Sequence, residues 1–337
     1  MPERPALRER HPGLSIRLMY HVLAEHGRDA GALLAAADVD ARVLTEPMTE
    51  VTRRQELAAV AHVQAVTHDL PGIALQIGRR YRVVTYGAFG LGMLTARDLR
   101  HALRIGIAYQ RLSYSLMSFS MELRDGTVRI VMDDRDIPAP VRAFLVERDL
   151  AAVVSLCDDL WGAPFPFASL EVALPRPDHA DLYAEVLERP VRFDAPVHAL
   201  AFAEDLLDHP LPQATPAMEE LYERQCRVLL ERSRQESALV EEVVHQLVRA
   251  SRGPMPSLDE VARRLRLSPR TLRRRLAEAD TTFGTLVAEV RELLARELLS
   301  DTSLTIEQVA HELGYAETSS FTRAFTRWTG HPPSALR

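Results

Sequence analysis

The 337-residue sequence contains no lysine and no asparagine, so all 41 of its basic residues are arginine. Both absent residues use A-rich codons, and their absence marks a GC-rich genome rather than a selected function. Without lysine there is no P-loop. Cysteine is scarce: Cys157 and Cys226 stand far apart without a CxxC partner or a metal-ligand spacing, which excludes a disulfide scaffold and a zinc ribbon. Both are expected to be small buried hydrophobes. Long apolar runs are absent as well. The longest stretch without a charge, Val83 to Ala96, is 14 residues with three glycines, whereas a membrane span needs about 20 mostly apolar residues. Arginine and glutamate interrupt the apolar residues of the N-terminal segment MPERPALRERHPGLSIRLMYHVLAEHGR. It offers a secretion pathway no continuous hydrophobic segment, and a cytoplasmic location without membrane contact is expected.

Hydrophobic residues make up 47% and charged residues 26%, enough apolar side chain for a core in a chain of two-domain length. The net charge of -6 hides an uneven distribution. Residues 251–337 hold 13 arginines and 11 acids, net +2, which leaves 28 arginines and 36 acids, net -8, for residues 1–250. Within the C-terminal part, Arg252 to Leu276 carries eight arginines against Asp259 and Glu260, whereas Ala277 to Arg337 carries five against nine acids. Such a basic run is commonly a solvated helix face, so charge alone does not separate nucleic-acid binding from plain surface.

Proline and glycine mark the boundaries. Three prolines fall in DHPLPQATPAMEE, where Thr215 is a candidate N-cap with Pro216 at the first helical position, and Ser251 to Pro256 forms a second break. The expected organisation is residues 1–215 as one domain, 216–250 as connecting helices and 251–337 as a second domain. The first domain reads as α+β, a helical layer on a small antiparallel sheet. Helical stripes run through Ile16 to His26, Arg53 to His68 and Val141 to Trp161, and Thr95 to Asp98 has the spacing of a capping box for a helix through Tyr109. Strands are expected at Ser118 to Leu123 and Thr127 to Met132, around the hairpin signal Asp125-Gly126, and at Ala168 to Leu174 and His198 to Phe202.

The C-terminal domain reads as all-α. Ser257-Leu-Asp-Glu260 is a capping box, and Leu258, Val261 and Leu265 share one face of a short helix. Ser268 and Pro269 open a second helix whose inner side is Leu272 and Leu276, leaving Arg270, Thr271, Arg273, Arg274 and Arg275 for other faces. A short helix followed by an arginine-dense one is the pattern of a helix-turn-helix, and an arginine fork fits guanine O6 and N7. The pattern recurs at Thr305-Ile-Glu-Gln308, with Gly314 as the break and Phe321, Phe325 and Trp328 as the inner side of the last helix. Gly284 to Leu299 is expected to be one long helix joining both units, so that two recognition helices enter successive major grooves about 34 Å apart.

Residues 257–337 resemble the DNA-binding domain of AraC/XylS-type transcription regulators, on Ile306, Ala310, Leu313-Gly314-Tyr315, Ser320-Phe321, Arg323, Phe325, Trp328, Gly330 and the prolines Pro332 and Pro333. Tyr315 stands where the family usually has phenylalanine. The first domain, around Tyr86 to Gly92 and the helix after Thr95, is more loosely similar to the effector-binding domain of the AraC subgroup with ornithine- and virulence-type regulators. The resemblance implies a regulator, most often an activator, that binds double-stranded promoter DNA, a small-molecule effector, RNA polymerase and a second copy of itself. It implies DNA contacts from Arg270, Thr271, Arg273 and Arg274 in the first unit and from Thr318, Ser319, Thr322 and Arg323 in the second.

Other constellations carry less. Gly87, Gly90 and Gly92 fall in the order GxxGxG and read as a turn between strand and helix; Asp133, Asp134 and Asp136 read as a solvated strand end; His311-Glu312 lacks the second histidine of a zinc protease. No catalytic residue, cofactor or metal is expected. Aromatic residues concentrate in the middle third, and Tyr86, Tyr109 and Trp161, each with a polar handle, are the expected effector contacts. Two rival readings are a constitutive DNA-binding protein whose first domain only dimerises, which an enclosed cavity in that domain would oppose, and an enzyme fused to a DNA-binding module.

Overall fold

The computed structural model describes residues 10–46, 49–249, 255–279, 281–300, 304–329 and 331–336. The chain divides into two compact units between Glu231 and Arg232.

The first unit runs β1 (Arg10–Pro12), α1 (Leu14–Glu25), α2 (Ala30–Ala37), β2 (Glu50–Thr52), α3 (Arg53–Val66), α4 (Ile73–Arg79), α5 (Gly87–Leu94), α6 (Leu99–Ala108), β3 (Ser118–Arg124), β4 (Thr127–Asp133), α7 (Ala139–Trp161), β5 (Ser169–Glu171), α8 (Ala180–Leu187), β6 (Val191–Arg192) and β7 (His198–Ala203). Strands β1 and β2 pair with each other; the remaining five form a sheet in the order β3-β4-β7-β5-β6, antiparallel except for β5 and β6 at its edge. The α+β reading holds. The β3–β4 hairpin turns at Asp125 and Gly126, with φ of 50° and 74°, and places Arg124 opposite Thr127. Along β4 the period of two buries Val128, Ile130 and Met132 and leaves the residues between them half-buried.

Three local expectations change. Asp98, not Thr95, caps α6, accepting from the His101 N–H at 2.8 Å, while the Thr95 hydroxyl donates back to the Leu91 carbonyl and closes α5. Gly87, Gly90 and Gly92 lie in α5 instead of a turn, and a Cβ at Gly90 would stand 1.7 Å from the Val83 carbonyl oxygen, so the close approach of the preceding turn requires glycine. Strand β5 is shorter than the apolar run around it because the Ala173 N–H is taken by the His198 imidazole at 3.1 Å.

Two apolar cores lie side by side in this unit. One joins α1 to α4 with α7, through Ile16, Leu23, Val60, Leu75, Leu145 and Leu150; the other joins α5, α6, β4, β7 and the end of α7, through Phe89, Leu99, Ile105, Val128, Phe165 and Phe202. Both cysteines are buried, and burial pushes the Cys157 thiol up to about 12 and the Cys226 thiol up to about 11, so both stay protonated.

Residues 216–249 form one 34-residue helix, α9 (Pro216–Arg249), rather than separate helices. Its first part gives Cys226 and Leu230 to the second core of the first unit, and its last part gives Val240, Val243 and Leu247 to a core with Val261, Leu272 and Leu286. The second unit continues with α10 (Leu258–Arg264), α11 (Pro269–Glu278), α12 (Phe283–Ser300), α13 (Ile306–Glu312) and α14 (Thr318–Thr329). The capping boxes at Ser257/Glu260 and Thr305/Gln308 are both formed, and Ser268 caps α11.

The two short helices end alike. Arg266 N–H bonds to Arg263 O and Leu267 N–H to Ala262 O; Gly314 N–H bonds to His311 O and Tyr315 N–H to Ala310 O. The residue at the bend has φ of 56° in Arg266 and 79° in Gly314. Only the second of the two helix-turn-helix motifs places glycine where the left-handed conformation asks for it. Arg266→Gly is therefore expected to raise the unfolding free energy by roughly 0.5–1 kcal/mol and Gly314→Ala to lower it by about as much, which urea unfolding of both variants checks.

Candidate nucleic-acid interface and ligand cavity

In α11 the helical period turns Leu272 and Leu276 fully inward. Arg270, Arg273 and Arg274, spaced three and four apart, are exposed on the opposite side. Arg274 forms an ion pair with Glu278 one turn on, at 2.5 Å, and the pair is solvated, so a nucleic acid competes for that arginine at small cost. Thr271 is half-buried and its hydroxyl sits 2.7 Å from Ser268 Oγ, which makes it part of the helix cap before it is a contact.

Helix α14 repeats the arrangement with Phe321, Ala324 and Phe325 inward. Ser319 and Arg323 are exposed, Thr318 and Thr322 half-buried. Ser319 Oγ donates to the Glu317 carboxylate at 3.1 Å. Thr326 and Arg327 extend the exposed face by another turn; the three- and four-residue steps from Thr322 and Arg323 already pointed to them. Between the two units α12 places Leu286 and Val290 in the first core and Ala295 and Leu299 in the second, with Leu294 against both. One continuous helix therefore carries both recognition helices within a single unit.

The first unit contains a cavity of about 100 Å³ at the junction of α5, α6, β3 and α7. Most of its wall is apolar, including Phe89, Met93, Leu103, Ile130 and Leu156. Of the three expected effector contacts only Tyr86 lines it. Tyr109 points its hydroxyl at Glu223, 3.5 Å away, where Arg104 holds the carboxylate at 3.0 and 3.1 Å. Trp161 packs tilted against His209 and edge-on against Phe165, with ring centroids at 4.4 and 5.2 Å. A polar handle was the only sign separating these aromatics in sequence, and their own neighbours take up two of the three.

The polar end of the cavity is formed by residues that periodicity hides. Arg148 sits in the middle of α7, 1% exposed, and donates to Glu56 at 2.7 Å and to Asp149 at 2.8 Å. Ser15 bonds Glu56 and stands 2.5 Å from the Tyr81 hydroxyl, while Ser115 donates to Asp149 at 2.5 Å. The acid-base-acid run Glu147-Arg148-Asp149 inside an apolar stripe was the available signal. Burial pushes the hydroxyls of Tyr81, Tyr86 and Tyr114 above their ordinary range, so all three remain donors. Desolvation lowers the His11 pKa and keeps that ring neutral beside the cluster. One guanidinium thus faces two carboxylates and the Tyr81 ring, 5.8 Å from its centroid, and Arg148 and Asp149 both reach the cavity wall.

A cap-turn-helix pair used twice on one joining helix, together with an N-terminal α+β unit that holds a half-open cavity, defines a DNA-binding regulator of two parts. Residues 27–211 match the family described as the arabinose-binding domain of AraC transcription regulator, N-term, and residues 261–337 match a helix-turn-helix domain. The chain belongs to the AraC-type transcription regulators. It is 32% identical to an uncharacterised HTH-type transcriptional regulator of Mycobacterium tuberculosis over 98% of this chain and 97% of that one. It is 31% identical to the ornithine utilization regulator of Pseudomonas aeruginosa over 94% and 93%. Over 24% of this chain and 27% of the relative it is 32% identical to the urease operon transcriptional activator of Escherichia coli. Among the described residues no helix is long and apolar enough to cross a membrane, and no group of three or more metal-ligating side chains is gathered.

Proposed function

We propose that the chain is a small-molecule-responsive transcription activator of the cytoplasm, in which a ligand in the N-terminal cavity shifts the population of DNA-binding-competent molecules. The observation that carries this reading is the cavity itself, since a domain that only dimerises has no need to hold space open between α5, α6 and α7. An apolar wall with a polar end formed by Tyr86, Ser115 and Asp149 suits a ligand with an apolar body and one hydrogen-bonding head, in preference to a sugar, whose hydroxyls would go unpaired. The activator role follows the urease operon relative, and RNA polymerase is the partner such a role requires. Base and phosphate contacts are assigned to Arg270, Thr271, Arg273 and Arg274 and to Thr318, Ser319, Thr322 and Arg323, with Thr271 acting partly through its helix cap.

A homodimer is part of this proposal. Met218, Leu221, Val228 and Leu229 fall on one face of the first part of α9, and all four are exposed. A large apolar stripe on a helix is commonly a contact surface, and a second copy of the same stripe covers it symmetrically.

The test is to fill the cavity. Gly106 lines it, and a side chain there first meets the end of Met93, with Sδ 3.2 Å from the added Cβ. The native chain is expected to retain a small molecule identifiable by mass spectrometry after purification, and Gly106→Leu to lose it together with any effect of cell extract on DNA affinity. Unchanged ligand content and an unchanged extract response in the filled variant would overturn the reading.

A further inference from the structure

By composition the second helix-turn-helix looks poorly suited to a polyanion, with five arginines against nine acids in residues 277–337. The structure sorts that charge. A groove of about 480 Å³ between α12 and α14 is lined by Arg291, Arg323 and Arg327, with Ser320, Tyr315 and Trp328 among its other walls, and no carboxylate is part of the lining. Arg291 is held in place by the Tyr315 ring, its guanidinium carbon 5.0 Å from the ring centroid. Two donors on groove-lining residues, Arg291 Nε and Trp328 Nε1, are buried and have no hydrogen-bond partner among the described residues.

Buried donors are nearly always paired, because a donor stripped of water without an acceptor in return is costly. Here they belong to Arg291 and Trp328, which line the groove together with the guanidiniums of Arg323 and Arg327 and the hydroxyl-bearing Ser320 and Tyr315. What completes such a set is a compact oxyanion: it supplies several acceptor oxygens at once and the negative charge that three guanidiniums lack. We propose that this groove is a phosphate site, occupied by a backbone phosphate of the DNA to which α14 binds. The proposal rests on the reading of α14 as a DNA-contacting helix. Arg323 belongs both to its outer face and to the groove wall, so one helix presents side chains outward and closes on a phosphate along its flank. A phosphate gripped there fixes the register of the helix on the duplex without reading sequence.

The chain has two tryptophans, so Trp161→Phe leaves Trp328 as its sole indole fluorophore. The full-length variant is titrated with a mixed-sequence duplex of about 20 base pairs and, separately, with inorganic phosphate, while a gel-shift assay follows duplex binding independently. The duplex is expected to change Trp328 fluorescence saturably, inorganic phosphate to compete for the same change, and Arg327→Ala to lower the salt slope of duplex binding by about 1, as removal of one phosphate contact requires. Duplex binding in the gel with a silent Trp328 and an unaltered salt slope in Arg327→Ala overturns the groove proposal and leaves DNA binding intact. Response to inorganic phosphate with none to bound duplex overturns the assignment to the DNA backbone. No duplex binding in the gel at all overturns the DNA-contact reading on which the proposal rests.

Discussion

Replacing Arg148 with methionine is expected to lower the unfolding free energy by about 3–5 kcal/mol, far more than an exchange of any exposed arginine would. The reason is what remains. Glu56 and Asp149 are 0% and 4% exposed, and without the guanidinium two carboxylates stay inside the first unit with no cation between them. Replacing all three with apolar side chains of similar size, Arg148→Met with Glu56→Leu and Asp149→Leu, should cost much less than the single change, because no buried charge is then left over. Urea unfolding of both variants checks the difference. A decrease below about 1 kcal/mol for Arg148→Met would mean that water reaches the cluster. The same cluster forms the polar end of the cavity, so its integrity ties the stability of the first unit to its capacity to hold a ligand.

The largest functional effect is expected from α11. Changing Arg270, Arg273 and Arg274 together to alanine should weaken sequence-specific duplex binding by at least about 100-fold. Removing a bidentate arginine–base pair costs about 1–3 kcal/mol, and removing an arginine from a phosphate flattens the salt dependence. Stability should move by no more than about 0.5 kcal/mol, because all three side chains are exposed and the Arg274–Glu278 pair is a solvated one. Fluorescence anisotropy at several salt concentrations, with urea unfolding as the control, measures both. A change of less than about 10-fold would move recognition away from this helix.

The second unit was largely legible in sequence, and the reasons are local. Ser257 with Glu260, Ser268 with Pro269 and Thr305 with Gln308 signal helix starts within four residues, and Leu272/Leu276 and Phe321/Phe325 signal the buried side within one turn. The hairpin at Asp125-Gly126 was legible for the same reason. What stayed hidden depends on distant partners. Arg148 meets Glu56 across 92 residues, so the acid-base-acid run in the α7 stripe marks the place without naming the partner that makes its burial possible. The arginines of the groove are spread from 291 to 327 among acids that the helices turn elsewhere, and a charge sum over the segment averages them away. Val240, Val243 and Leu247 precede the expected domain start at 251, yet they complete the core beneath α10 and α11. A proline-glycine break marks where the chain turns and says nothing of which side of the break a helix packs on.

If one chain reads DNA with two helices carried on one joining helix, selection from a random duplex library by the full-length protein shows it most directly. Two enriched blocks per chain are expected, centred about one helical turn, 10–10.5 base pairs, apart. The block read by α11 should degrade when Arg270, Arg273 and Arg274 are replaced, and the block read by α14 should persist. Recovery of a single block, or of no sequence preference at all, would contradict two-helix reading.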